Sequence, residues 1–293
     1  MKFGYPLFGV PPSEFGRVAA AAEAAGFESI WMPEHLVFPT EMPATYPYSE
    51  TGLPPVYPGS PLYDAWVALG FAAAATERIR LGTQVYILPL RHPLVTARAF
   101  TTLDVVSGGR GILGVGVGWL EEEFHFVGES FANRGRRTDE IIGLMRTLWT
   151  EKVIHHRGEF YDLGPLRFQP KPVQKPMPPI EVGGTTPPAI RRAGRLGDGW
   201  LATGYIELDE LEGMIAKLHA ARREAGREEL PFEVSMGNRL ELDVDSVRRY
   251  ADIGVTRLML QPPMPSDGKF SLAYFEDFIA RCGEEIISRY PQS

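Results

Sequence analysis

The chain has 293 residues, 44% of them hydrophobic and 23% charged, the make-up of an ordinary globular protein long enough to bury a sizeable core. Its formal net charge of −7 argues against a general binder of nucleic-acid backbones, which needs a basic surface. The single cysteine, Cys282, excludes an internal disulfide framework and a cysteine-rich zinc site, and no charged-then-apolar leader or membrane-length apolar run is present. A cytoplasmic protein that acts on a small molecule, without nucleic acid or membrane partners, is the expectation.

Strand and helix patterns alternate along the chain. KFGYPLFG (2–9) reads as a strand, PSEFGRVAAAAEAAG (12–26) as a helix closed by Gly26, and SIWMPEH (29–35) as the second strand. A helix over 61–77 and a strand over 78–88 follow. Leu94, Ala97, Phe100 and Leu103 recur every three residues in a helix over 92–108, which ends at Gly108. The apolar, glycine-bounded run 110–118 reads as a buried strand, followed by a helix over 136–151. Four more strands are expected at 178–184, 199–204, 232–242 and 256–263, with helices at 187–197, 208–226, 243–253 and 271–289. Phe275, Phe278, Ile279, Cys282 and Ile286 share one face of the last helix, which makes Cys282 a core residue. Eight strands alternating with helices imply parallel pairing and an α/β fold, best read as a (β/α)8 TIM barrel, with a doubly wound open sheet as the second choice. With no linker or low-complexity tract, residues 1–293 are expected to form one barrel domain.

Two segments exceed what a barrel needs. Residues 36–60 are proline-rich with three tyrosines and cannot form a regular helix; they are either a surface loop or a wall of the pocket at the barrel mouth. Residues 153–178 read as a short hairpin with a proline-rich return.

Gly109, Gly111 and Gly114 spell G-x-G-x-x-G, but here the glycines follow a helix and enter a strand. A dinucleotide fingerprint requires the opposite order, so the match is a decoy. Gly114, Gly116 and Gly118 alternate and so face one side of the fourth strand. Glycine inside a strand is weakening unless something approaches closely. A flat ring across the mouth and close packing within the barrel are both open readings.

Candidate chemistry gathers at strand ends. Glu34 and His35 end the second strand, where barrel sites form, and a neutral imidazole can exchange a proton near neutral pH. His125, His155, His156 and His219 lack such placement, and His92, before Pro93, is left open. Gly183, Gly184, Thr185 and Thr186 precede Pro187 at a helix start, a place for an anion such as a phosphate. No spacing of a metal site or a serine hydrolase is present.

The stretches SIWMPEH, RLGTQVYILPLRHPLVTARAFTTLDVVSGGRGILGVGVGWLEEEF, RGRRTDEIIGLMRTLW and PPIEVGGTTPPAIRRAGRLGDGWL together resemble the luciferase-like flavin and deazaflavin oxidoreductases, over nearly the whole chain. The motif set is most similar to the branch that uses coenzyme F420, an 8-hydroxy-5-deazaflavin. The resemblance implies a (β/α)8 barrel, a cofactor at the C-terminal mouth and a homodimer. It also implies a non-proline cis peptide in a bulged third strand, here Gln84–Val85. Carried over residue by residue, Glu34 and His35 match the acid–histidine pair near ring and substrate, with Glu34 either orienting His35 or binding cofactor. Gln84, Val85, Gly116, Gly118 and Trp119 lie beside the cofactor, and Gly183, Gly184 and Thr185 match the phosphate loop. One departure stands out. The sugar-phosphate dehydrogenases of this branch carry an acid after the fourth-strand glycine, where this chain has Trp119. The function implied is hydride transfer between the deazaflavin and a small organic substrate. The alternatives are an FMN-dependent monooxygenase of the same fold and a non-catalytic flavin-binding barrel.

Overall fold

A computed structural model of the chain describes residues 1–204, 206–238, 243–265 and 270–290. Its elements are β1 (Lys2–Pro6), α1 (Phe15–Ala24), β2 (Ser29–Met32), α2 (Ala65–Ala74), β3 (Arg80–Thr83), β4 (Tyr86–Ile87), α3 (Pro93–Val106), β5 (Gly111–Gly116), α4 (Glu121–Phe126) and α5 (Arg134–Thr150). The second half holds β6 (Ile154–Arg157), β7 (Asp162–Leu166), β8 (Ile180–Gly183), α6 (Pro187–Leu196), β9 (Gly199–Ala202), α7 (Leu208–Glu224), β10 (Glu233–Asn238), α8 (Val244–Asp252), β11 (Arg257–Leu260) and α9 (Leu272–Glu285).

The strands close into a parallel barrel. β1 pairs with both β2 and β11, so the sheet has no edge there, and closure excludes the doubly wound alternative. β3 and β4 are the two halves of the third barrel strand; both pair with β5, and the chain bulges between them. Counting that pair once gives the eight strands expected, a luciferase-like (β/α)8 TIM barrel. β6 and β7 form the expected antiparallel hairpin between the fourth and fifth barrel strands. The strand expected over 232–242 is described to Asn238, and its last four positions lie outside the described residues.

Local chemistry explains where helices begin. The helix expected from residue 61 starts at Ala65, because the Asp64 side chain accepts the Trp66 and Val67 N–H groups at 2.9 and 3.0 Å. His92 has the same role for α3, its ring accepting the Leu94 N–H at 3.2 Å, which settles that histidine as a cap. The short helix α4 is additional to the sequence expectation. Six residues are too few to show a helical period.

Inside the barrel, Trp31, Ile112, Leu201 and Met259 form one buried layer. They come from the second, fourth, sixth and eighth strands, the alternation by which such barrels fill. Room for the Trp31 indole exists because Gly4 and Gly82 lack side chains; a Cβ on either would come within 2.7 and 2.5 Å of its ring atoms. At the N-terminal end, Arg257 is fully buried and bonds both Glu181 carboxylate oxygens at 2.9 Å, Ser235 Oγ at 2.9 Å and Glu28 at 3.1 Å. The opposing carboxylates keep this guanidinium charged despite its burial, and that end of the barrel is closed by polar packing. On α9 the face carrying Cys282 is buried as expected, and burial pushes the thiol up to about 12. Among the described residues no helix is long and apolar enough to cross a membrane.

Candidate active site at the barrel mouth

The C-terminal strand ends open on two adjoining cavities. The first, about 520 Å³, lies over β2, β4, β5 and β8 and reaches the starts of α5 and α6. The second, about 650 Å³, lies over β1, β9, β10 and β11. Pro33, Tyr46, Tyr48, Gln84 and Thr203 line both. Tyr46 and Tyr48 come from the proline-rich segment 36–60, which therefore forms a wall of the mouth.

β2 ends at Met32, and Pro33, which has no N–H to donate, releases the chain over the first cavity. The two residues that follow part company. Glu34 turns inward, accepts the Ile87 N–H at 3.0 Å and pairs with Arg91, whose guanidinium lies 4.4 Å over the Tyr86 ring. Burial pushes the Glu34 carboxyl up, opposed by that guanidinium and the Ile87 N–H. His35 stays at the cavity, with 20% of its side chain exposed. Its partner is not Glu34 but Glu123, whose carboxylate oxygen lies 2.9 Å from Nδ1. The other Glu123 oxygen accepts the Leu36 N–H at 2.5 Å and the Val37 N–H at 3.4 Å. One buried carboxylate thus holds both the imidazole and the root of the 36–60 segment. Trp119 meets the His35 ring edge-on at 5.9 Å and the Tyr46 ring at 5.1 Å, an aromatic wall around the histidine.

The Gln84–Val85 peptide is cis, as the resemblance implies, and both residues line the first cavity. The glycines of β5 make room for the third barrel strand, the close-packing reading, and Gly116 also lines the first cavity. A Cβ on Gly114 would lie 1.8 Å from the Thr83 carbonyl oxygen, and one on Gly116 2.5 Å from Val85 Cγ2. Gly183, on the far side, would meet Val85 Cγ1 at 2.6 Å. The space is taken by the bulged third strand, and Val85 is wedged between Gly116 and Gly183 on the cavity floor. Gly118 has φ +82, and a Cβ there would meet Ile87 and Phe124 at 2.8 Å.

The segment 183–186 is also narrower in donors than its sequence implies. The Gly184 N–H donates to the Leu201 carbonyl at 3.1 Å and its own carbonyl accepts Trp200 Nε1 at 2.8 Å, so this glycine's backbone is spent inside the fold. Pro187 and Pro188 have no N–H. Gly183, Gly184, Thr186 and Ala189 line the cavity, whereas Thr185 is outside the lining. A cation stands near that end: Arg134, at the start of α5, is aimed by bonds from Nε to the Gly118 carbonyl at 3.1 Å and from Nη1 to the Phe131 carbonyl at 3.0 Å, with Phe131 stacked beneath it.

Sequence reasoning placed His35, Glu34, Gln84, Val85, Gly116, Gly118, Trp119, Gly183 and Gly184 around one cavity. It anticipated the tyrosines of 36–60 only as part of a possible pocket wall, and it missed Glu123, Arg91 and Arg134. The only signal for Glu123 is that it is the third acid of LEEEF, next to Phe124, and both are fully buried in α4.

The luciferase-like monooxygenase family model matches residues 3–246. The chain belongs to the luciferase-like monooxygenase family. This luciferase-like chain is 36% identical over 260 residues to an uncharacterised protein of Mycobacterium tuberculosis, covering 89% of the chain and 88% of that protein. It is 31% identical to the F420-dependent glucose-6-phosphate dehydrogenase of Nakamurella multipartita, over 86% of the chain and 71% of that protein. Among solved structures, the coenzyme F420-dependent tetrahydromethanopterin reductase of Methanopyrus kandleri superposes with a TM-score of 0.77 at 18% identity, covering 99% of each chain. Membership of this luciferase-like family makes the chain an oxidoreductase.

Proposed function

We propose that the chain is an F420-dependent oxidoreductase, a single barrel over 1–293 that works on a small organic substrate in the cytoplasm. The observation that carries the catalytic half of this reading is the buried Glu123 carboxylate on His35 Nδ1. It reserves Nδ1–H for Glu123 and leaves Nε2 to serve the cavity. The site's residues fit a flavin-type cofactor. Val85 stands forward as a floor on glycines 116 and 183, Trp119 and Tyr46 wall one side, and Arg134 with Thr186 and the start of α6 offers a charged end for a phosphate. Gly184 shapes that loop through φ +111 and its internal bonds rather than as a donor. When bound, a reduced deazaflavin supplies the hydride. The chain's own residues do the rest: Gln84, Val85, Gly116, Gly118 and Trp119 seat and orient the cofactor. Glu34, through Arg91 and the Ile87 N–H, stiffens the strand end that carries His35, and His35 gives or takes the accompanying proton.

Titration of the purified protein with oxidised deazaflavin, FMN and NADP, followed by fluorescence, tests the cofactor. Deazaflavin binding at micromolar Kd or tighter, with FMN at least tenfold weaker, is expected. Equal or tighter FMN binding returns the monooxygenase alternative, and tight binding with no turnover of any candidate substrate returns the non-catalytic barrel. Homodimerisation is proposed on the family resemblance. The α2 helix supports it, since Val67 and Phe71 on its outer face are 62% and 61% exposed. Sedimentation of the native chain beside Phe71→Glu tests it, and a monomeric native chain refutes it.

A further inference from the structure

The two cavities at the mouth differ in charge. Glu34, His35, Glu121, Glu122 and Arg134 all line the first. The described lining of the second holds no Asp, Glu, Lys, Arg or His. Its walls are largely aromatic, aliphatic and proline, among them Phe8, Leu53, Met259 and Phe270, and its floor includes Gln84, shared with the first cavity. Gln261 joins Gln84 as a second amide. A volume of about 650 Å³ holds a ring-sized molecule.

We propose that the second cavity is the substrate chamber and that it takes an uncharged, largely apolar carbonyl compound, or the matching alcohol, rather than a sugar phosphate. The proposal rests on the deazaflavin reading above. Its physical ground is desolvation. An ionised phosphate leaving water for this lining loses its hydration and meets no cation among the described residues to replace it. A ketone oxygen needs one or two donors, which a primary amide supplies, and its carbon skeleton gains from the apolar walls. The adjoining geometry completes the chemistry. The carbonyl carbon would accept a hydride with its electron pair from the reduced deazaflavin, the C=O π bond would open onto oxygen, and the oxygen would take a proton supplied from the first cavity, whose lining carries His35, across the wall that Pro33, Tyr46, Tyr48 and Thr203 share. In reverse, an alcohol would lose its hydroxyl proton across that shared wall toward His35 and its carbinol hydride to the oxidised cofactor. The chain should therefore differ in substrate from the glucose-6-phosphate dehydrogenase to which it is 31% identical.

The test uses the whole enzyme and begins with the deazaflavin titration, whose failure overturns the cofactor reading by itself. With oxidised deazaflavin bound, calorimetric titrations with cyclohexanone, cyclohex-2-enone, cyclohexanol and glucose-6-phosphate follow, and the same compounds are assayed for hydride transfer. At least one uncharged compound should bind tenfold or more tightly than glucose-6-phosphate and react. Leu53→Arg, on the half-exposed loop wall of the second cavity alone, should weaken that compound at least tenfold and leave deazaflavin affinity unchanged. Binding or turnover of glucose-6-phosphate as good as that of the uncharged compounds overturns the proposal, as does failure of every uncharged compound to bind the loaded enzyme. An uncharged ligand indifferent to Leu53→Arg overturns the assignment of the cavity.

Discussion

Glu123→Gln isolates the chemistry of His35 from the architecture that carries it. Glu123 is fully buried, and its two oxygens serve His35 Nδ1, the Leu36 N–H and the Val37 N–H. Glutamine has the same shape, and its carbonyl oxygen still accepts the two backbone N–H groups. Its –NH2 must then face His35 Nδ1, which has to accept instead of donate, so the ring proton moves to Nε2. A hydrogen bond to a charged group contributes about 1.5–3 kcal/mol and a neutral one about 0.5–1.5, so the exchange should cost roughly 1–2 kcal/mol of stability. The catalytic loss should be larger. General acid–base catalysis by a placed histidine contributes about 10²–10⁴-fold, and a residue held in the wrong tautomer forfeits much of that. The expected result is a fall in kcat of about 10²-fold with KM and deazaflavin affinity within threefold of the native values. Nitrogen-15 NMR of the ring should report Nδ1–H in the native protein and Nε2–H in the variant. A native kcat in a variant with the exchanged tautomer refutes the proton role of His35. An unchanged tautomer refutes the role of Glu123. A collapse of cofactor affinity with native kcat at saturation makes Glu123 an anchor for the 36–60 segment alone.

Gly116→Ala drives a methyl into Val85 and should cost about 1–3 kcal/mol and weaken deazaflavin binding at least tenfold. Val85→Ala in the same chain should restore part of both, and strict additivity in that cycle, by urea denaturation and cofactor titration, refutes the wedge. Arg257→Met leaves Glu181 and Glu28 unpaired at the closed end and should cost about 3–5 kcal/mol in urea midpoints. The double variant Arg257→Met/Glu181→Met should recover much of that, and equal loss in both refutes the desolvation argument. Glu140 is a pH reporter. Burial by itself raises its pKa, but bonds from His156 Nε2, Phe160 N–H and Tyr161 N–H, each 2.9 Å, outweigh this and hold the carboxyl below its usual range. A depressed folded pKa means stability that is present above the unfolded value of about 4.3 and is lost as pH falls through the folded one. The stability gap between native chain and Glu140→Gln should therefore be full at pH 5.5 and shrink toward pH 3, and a gap independent of pH refutes it.

The alternation of apolar strands with amphipathic helices determines the barrel, because burying a sheet on both faces demands runs such as GILGVG and SIWM wherever a parallel strand passes. That period is local, so it is visible residue by residue, and with it the strand ends that carry His35, Gln84, Trp119 and Gly183. Which groups meet at those ends is not local. Glu123 reaches His35 across 88 positions of sequence, and Arg91 reaches Glu34 across 57. Three consecutive acids in WLEEEF look alike until α4 buries one and leaves Glu121 and Glu122 at the cavity. The glycines show the same limit. Alternation in β5 announces a close approach, but only the closed barrel decides that the approaching groups are the Thr83 carbonyl and the Val85 side chain. The backbone of Gly184 looks free in GGTT and is consumed by Leu201 and Trp200, because strand pairing satisfies buried N–H and C=O groups before any ligand does.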